Sequence, residues 1–312
     1  MHLTCEEYNS WQGIPFTVPL PLSQTVSPSS IVRPNLENKA KINMNTKLTD
    51  FSSSALVQAN RANLYEFFCH FENSKVIEYN KGSGFVRWSC RFPIDWYNGI
   101  LCERDATSSD GDFIEENLGY FKAKNAAEIT FWLEDGINLA SWDSLLTQHG
   151  FKFVKGPPAM SMDLNKLNET YHLPDGAEIK IVSDEESMQE RAEVILRGYG
   201  LPIEWKDDVA DFYFNLGCDT PFRCYLAYWE GKPVSTAEIF FGKEVAGING
   251  VTTVPEARGK GFASLITMVP LLDARNMGYR VGTLQATEMG FPLYQRMGFE
   301  HNFNLWYFTC AL

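Results

Sequence analysis

Between residues 55 and 71 apolar positions recur at helical spacing (Leu56, Ala59, Ala62, Leu64, Phe67), which predicts an amphipathic helix. Strand-like stretches follow at 76–79, 84–91 and 99–102, the second alternating Phe85, Arg87 and Ser89. A helix is expected over 111–124, and the run AEITFWL (127–133) reads as a strong strand. A short helix at 142–149 ends at Gly150, with a strand over 151–154. Pro157-Pro158 and the polar run 163–170 mark a linker. Beyond it come a strand (179–182), a helix (184–197) capped by Ser183 or Asp184, and a second helix (207–216). A hairpin joins 223–229 to 233–241 through Glu230-Gly231-Lys232. The chain closes with a strand (245–254), a Gly-rich turn, a helix (261–276), a strand (281–286), a helix (291–297) and a strand (304–309). This second part is an α/β unit of order β-α-α-β-β-β-α-β-α-β. Pro270 lies inside its long helix, where a lost hydrogen bond costs roughly 3 kcal/mol, so a kink or break near Ile266–Thr267 is expected.

Residues 1–43 show no period and hold Pro15, Pro19, Pro21, Pro28 and Pro34. They read as an extended, poorly ordered or surface-wrapping arm. Met44 then opens a segment that looks like an ordinary protein start. The expected division is therefore an arm (1–43), a first domain (44–165) and a second (166–312). The length of 312 residues fits two domains, and 45% apolar residues suffice for a sizeable core.

A formal charge of −12 argues against a surface built to grip nucleic acid or an anionic membrane. The seven cysteines are scattered without a C-x-x-C pair, as are the five histidines, so no metal site is expected and the thiols read as reduced and buried. No stretch of 18 apolar residues exists, and the opening residues carry Glu6 and Glu7 without an apolar run behind them. A cytoplasmic location is the expectation.

The segment that carries chemistry is VTTVPEARGKGFA, residues 251–263. A strand ends, and Arg258-Gly259-Lys260-Gly261-Phe262-Ala263 turns into a helix. Glycines let backbone amides approach a ligand, and the helix N-terminus favours an anion. Arg258 and Lys260 add charge. The glycine spacing fits neither a Walker A loop nor a dinucleotide fingerprint, and by itself the turn reads either as a pyrophosphate cradle of another kind or as structural punctuation. Thirty residues on stands Pro292-Leu293-Tyr294-Gln295-Arg296-Met297-Gly298-Phe299.

R-x-x-G-x-A after a strand, followed by L-Y-x-x-x-G-F before the last strand, resembles the GNAT superfamily of acyl-CoA-dependent N-acetyltransferases. The resemblance covers about residues 175–312. It implies that the backbone of Gly259, Lys260, Gly261, Phe262, Ala263 and Ser264 holds the coenzyme A pyrophosphate, with Arg258 opening the loop. The strand Val251, Thr252, Thr253 and Val254 would pair with the pantetheine arm and steady the developing oxyanion. Tyr294 would be the acid beside the thioester sulfur, nearly matched to a thiol of pKa about 8.5. Acetyl-CoA or another acyl-CoA would be the cosubstrate, with no metal, and a small-molecule amine the acceptor. Many members place a glutamate on the strand before the loop. Here that strand reads Ala246-Gly247-Ile248-Asn249-Gly250-Val251, without a carboxylate. Glu238 and Glu288 are the nearby candidate bases, and ordered water is equally open. Hydrolysis or decarboxylation of an acyl-CoA, O-acyl transfer and a non-catalytic CoA-binding role stay open as alternatives. An aminoacyl-tRNA substrate fits poorly with the acidic balance.

Leu145-Leu146-Thr147-Gln148-His149-Gly150-Phe151 aligns with Leu293–Phe299 at an offset of 148 residues. Leu146 stands where the second half has Tyr294, and the first half has no R-x-x-G-x-[GA] turn. The resemblance thus extends to tandem GNAT proteins with one silent half. The fold class expected is α/β: two tandem GNAT-like domains, each a mixed, mostly antiparallel central sheet flanked by helices. The first would wall the acceptor site. Its segment Phe92–Asn98 reads as core or as a pocket lip, and Gly198–Trp205 as the stretch shaping the acceptor pocket.

Overall fold

The computed structural model describes residues 47–90, 97–133, 137–167 and 174–312. The arm at 1–43, and residues 92–96 of the aromatic segment, lie outside the described residues. In chain order the elements are α1 (Ser53–His70), β1 (Glu78–Gly82), β2 (Phe85–Ser89), β3 (Asn98–Cys102), α2 (Asp110–Ala123), β4 (Glu128–Leu133), α3 (Leu139–Gln148) and β5 (Lys152–Asp163). The second half follows: β6 (Ala177–Ile181), α4 (Glu185–Tyr199), α5 (Lys206–Leu216), β7 (Phe222–Trp229), β8 (Lys232–Phe241), β9 (Ala246–Thr253), α6 (Phe262–Asn276), β10 (Val281–Gln285), α7 (Phe291–Met297) and β11 (Glu300–Ala311).

Local chemistry explains the boundaries. Asp184 caps α4 by accepting from the Ser187 amide, and Gly200 ends it in the left-handed region at φ 69°. The β7–β8 turn needs positive φ at Glu230 (49°) and Gly231 (77°), as a two-residue hairpin turn does.

All eleven strands join one sheet, in the order β1-β2-β3-β4-β11-β5-β10-β9-β8-β7-β6. Among the described residues only β3–β4 and β9–β10 are parallel pairs. The last strand of each half crosses to the other. β5 pairs with β10 of the second half, and β11 pairs with β4 of the first. The two then pair antiparallel with each other at the seam. Accordingly Phe308 and Cys310 of β11 complete the core of Ile100, Ile114, Phe131, Trp142 and Leu146. Met160 and Met162 of β5 belong to the larger core that runs through both halves. One continuous sheet spans both sides of the division expected at 165/166.

The duplication extends well beyond seven residues. β5 and β11 are each twelve residues long and start 148 positions apart, as do the starts of β3 and β9. Gly150 and Gly298 both take positive φ (88° and 100°). The amides of Phe151 and Phe299 return to the carbonyls of Leu146 and Tyr294 at 3.0 and 2.9 Å.

Three expectations need correction. Pro157-Pro158 lies inside β5, not in a linker. The two prolines stand at a register irregularity opposite Asn304 and Trp306, where a missing donor is tolerated. β11 is longer than expected because it fills a central slot of the sheet, not an edge. α6 runs through Pro270 as one helix, so the expected break does not occur. It is buried from Leu265 to Ala274, and that burial outweighs one lost backbone bond.

Candidate active site

The turn into α6 begins where β9 ends. Arg258 does not offer its charge to the loop's open side. Its Nε donates to the Thr253 carbonyl (3.1 Å) and a terminal nitrogen to the Gly198 carbonyl (2.6 Å), so it ties the strand end to α4. Gly259 and Gly261 both require positive φ (74° and 88°). Open space faces Gly259, so conformation and not crowding demands a glycine there. Gly261 is the N-cap of α6. No side chain caps the helix, and its first turn carries no acidic residue. The leading amides of α6, Gly261 to Ser264, therefore have no intrahelical acceptor and keep the positive end of the helix dipole open. Phe262 is buried and anchors this turn beside Trp229 (ring centroids 6.0 Å apart), while the Lys260 ammonium lies 5.2 Å from the Trp229 ring.

Beside the turn the sheet opens. Parallel pairing of β9 with β10 ends at Ile248↔Leu284, although β9 continues to Thr253. At the same place β9 carries one extra residue against β8: Thr236 faces Thr252, but Glu238 faces Asn249. Gly250, at φ 58°, forms this bulge. Val251, Thr252 and Thr253 thus line a cleft edge whose other side stays bonded to β8; the Ser235 hydroxyl donates to the Thr252 carbonyl at 2.8 Å.

The two candidate side chains lie on opposite faces of this opening. Tyr294 of α7 is buried against Phe299 on the α6 side, its hydroxyl in contact with Thr267 of α6. Burial pushes its pKa up to about 12. Glu238 is on the α4–α5 side, 2% exposed. Its carboxylate lies against Gly250; a Cβ there would stand 2.9 Å from Oε2. It is bound by Arg191 of α4, itself fully buried, whose Nε donates to the Thr236 hydroxyl at 3.0 Å. Burial raises the Glu238 pKa and the Arg191 charge opposes that rise. Glu288 is exposed on the turn before α7 and is not brought to this pair. Gly198 lets α4 close on β9, since a Cβ there would meet Thr252 Oγ1 at 2.2 Å. Trp205 is half-buried in a short turn between α4 and α5 and packs on the main core.

Sequence reasoning missed Arg191 and Tyr213, and held Tyr97 only as one residue of the segment Phe92–Asn98. Arg191 had a signal: it sits on the apolar stripe of α4 with Met188, Ala192 and Ile195, where a charge needs a buried partner. Among the described residues no group of three or more His, Cys, Asp or Glu is placed to hold a metal ion, and no helix is long and apolar enough to cross a membrane.

A glycine-rich, uncapped helix start thus lies beside a bulged, opened parallel pair, and this is the region that a comparison with known proteins picks out. Residues 243–302, which include the turn, the opening and Tyr294, match the acetyltransferase (GNAT) domain family. The fold is that of GCN5-related N-acetyltransferases in tandem. A GCN5-related N-acetyltransferase from Kribbella flavida is similar at TM-score 0.56 and 18% identity, over 85% of this chain and 96% of that one. A tandem GNAT protein from the clavulanic acid biosynthesis pathway is similar at TM-score 0.53 and 11% identity, over 84% and 96%. A conserved protein of unknown function from Staphylococcus epidermidis is similar at 0.55 and 15%, over 77% and 97%. No curated protein matches the chain in sequence. The family match is thus confined to the C-terminal part of the chain, and the fold is one that supports acyl transfer.

Proposed function

We propose that the protein transfers an acyl group, most simply acetyl, from acyl-CoA to a primary amine of a small molecule. One observation carries the reading: the sheet opens at Ile248↔Leu284 beside the uncapped, acid-free N-terminus of α6. Residues 166–312 hold the site in this reading, and residues 44–165 are catalytically silent.

Acyl-CoA supplies an activated thioester when bound. The amides of Gly259 to Ser264 hold the pyrophosphate at the α6 N-terminus, with Lys260 nearby as a cation. Val251 to Val254 offer backbone groups to the amide-bearing arm and a donor to the developing oxyanion. Glu238, on the α4–α5 face, takes the proton from the acceptor ammonium. The freed nitrogen lone pair forms the N–C bond as the C–S bond breaks, and the proton that the acylated nitrogen then sheds neutralises the leaving thiolate. Tyr294, on the other face, meets the leaving sulfur. Burial raises its pKa to about 12, above that of a thiol at about 8.5, which favours hydrogen-bond donation over full proton transfer in this reading. Tyr294 serves first as a hydrogen-bond donor that stabilises the thiolate. Of the two candidate carboxylates, burial beside the bulge favours Glu238 over Glu288 as base.

The test is thiol release from acetyl-CoA by the full chain, with tyramine, spermidine, glucosamine and lysine as probe amines. Amine-dependent release with an N-acetyl product supports the reading. Release of equal rate without amine would favour hydrolysis, and CoA binding without release a non-catalytic module.

A further inference from the structure

A run of polar groups behind the opening crosses from one half of the chain to the other. The Glu238 carboxylate, pressed against the Gly250 bulge, is bound by Arg191 of α4. The Arg191 guanidinium lies 3.9 Å from the centroid of the Tyr213 ring of α5. The Tyr213 hydroxyl meets the hydroxyl of Tyr97 at 2.5 Å. Tyr97 directly precedes β3 and belongs to the first half. Its ring packs edge-on against Phe212, with centroids 4.7 Å apart.

We propose that Arg191 is a positioning residue for acyl transfer: it holds the Glu238 carboxylate against the bulge on the acceptor face, and the Tyr97–Tyr213 hydroxyl pair keeps its guanidinium in place. The inference rests on the acyl-transfer reading and extends it. The first half then contributes to the reaction through Tyr97, without any cosubstrate site of its own.

The physical case has three parts. A buried ion pair is a weak source of stability, since its Coulomb gain is offset by desolvation of both charges. A base must be unprotonated at working pH, and a carboxyl buried without a cation is held in its neutral form. Place completes the case: the carboxylate lies behind Gly250, where any side chain would displace it. The charged and titratable groups facing Glu238 are Arg191 from α4, Tyr213 from α5, Tyr97 from the first half and Cys224 from β7. Arg191 is the one cation among them. One terminal nitrogen of Arg191 has no hydrogen-bond partner, so the guanidinium depends on Thr236, Glu238 and the Tyr213 ring for its placement.

The experiment follows pH profiles of kcat/KM for acetyl-CoA and the probe amines in wild type, Arg191→Lys, Tyr97→Phe and Glu238→Gln, with CoA binding measured in each. In Arg191→Lys we expect unchanged CoA binding and a kcat lower by about tenfold. Its acid limb should move up by about one pH unit, because a looser cation protects the carboxylate less. Tyr97→Phe should move the limb in the same direction by less, and Glu238→Gln should remove it. A wild-type profile and kcat in folded Arg191→Lys would overturn the inference. If Arg191→Lys does not fold, Tyr97→Phe decides, since it deletes a single oxygen; an unmoved limb there overturns the proposal. Failure of the wild type to turn over any probe amine is failure of the acyl-transfer reading, and the inference falls with it. An active enzyme with unmoved limbs is failure of the inference alone.

Discussion

The two halves of this chain repeat one plan, and they differ at the candidate site. In the second half the parallel pair opens after Ile248↔Leu284. In the first, β3 pairs with β4 through to its last residue, Cys102↔Leu133. β9 is bulged against β8, whereas β2 and β3 keep an unbroken register from Phe85↔Cys102 to Ser89↔Asn98. At the start of α6 stand two glycines and no acid. At the start of α2 stands Asp110, held by Arg104 at 2.5 and 2.8 Å and by the Thr107 amide at 2.6 Å. The first turn of α2 thus carries acidic residues, Asp110 and Asp112, where that of α6 carries none. Leu146, in place of Tyr294, is fully buried. A repeated fold keeps its hydrophobic pattern more readily than its chemistry, because core packing tolerates exchange and a cradle does not.

The comparison can be broken most severely by separating the halves. Residues 166–312 expressed alone lack β5 beside β10 and leave β11 without β4. We expect a fragment that fails to form a cooperative monomer, by thermal melting and sedimentation. A monomeric fragment with a sharp melt would show that the exchanged strands are dispensable. Next in size is Tyr294→Phe, which deletes the hydroxyl that Leu146 lacks. It should lower kcat by about a hundredfold with CoA affinity unchanged. The direction of its pKa shift adds a condition: at about 12, Tyr294 stays protonated, so kcat should show no fall from this group up to about pH 10.

Asp110→Asn sharpens the contrast from the other side. The Arg104 hydrogen bonds hold the Asp110 pKa down to about 2. A depressed carboxyl stabilises the folded chain above its unfolded pKa, and that contribution disappears as pH falls from about 4 to about 2. At neutral pH the substitution should cost about 1–2 kcal/mol by denaturant unfolding, while CoA binding stays as it was. Restored binding at the first half would contradict the reading of that half as closed. The smallest effect is expected from Glu288→Gln. The side chain is exposed, so turnover should remain within about twofold of wild type.

Much of this was legible in the residues. Helix and strand order in the second half followed from periodicity and punctuation, because amphipathic faces and turn residues act locally. The Gly259–Gly261 turn and Tyr294 were legible as a spaced pair. The strand exchange was not, because which strand fills a slot depends on partners distant in sequence. Pro157-Pro158 misled for the same reason: a proline pair reads as a linker unless the bulge that accommodates it is known. The base position was half legible. Glu238 was identifiable as a nearby carboxylate, but its burial with Arg191 depends on how α4 packs on β8. Arg258 was readable as a charge at the loop, while its use on two carbonyls is a tertiary fact.

The central claim is that this two-fold plan holds one cosubstrate site, at the start of α6. Calorimetric titration of the full chain with acetyl-CoA, in wild type and in Gly261→Asp, tests it most directly. The account predicts one site per chain of roughly micromolar affinity, about −8 kcal/mol. Gly261→Asp should abolish it, because an aspartate there places a carboxylate at the second helix as Asp110 does at the first. Two sites per chain, no binding at millimolar acetyl-CoA, or undiminished binding in Gly261→Asp would contradict it.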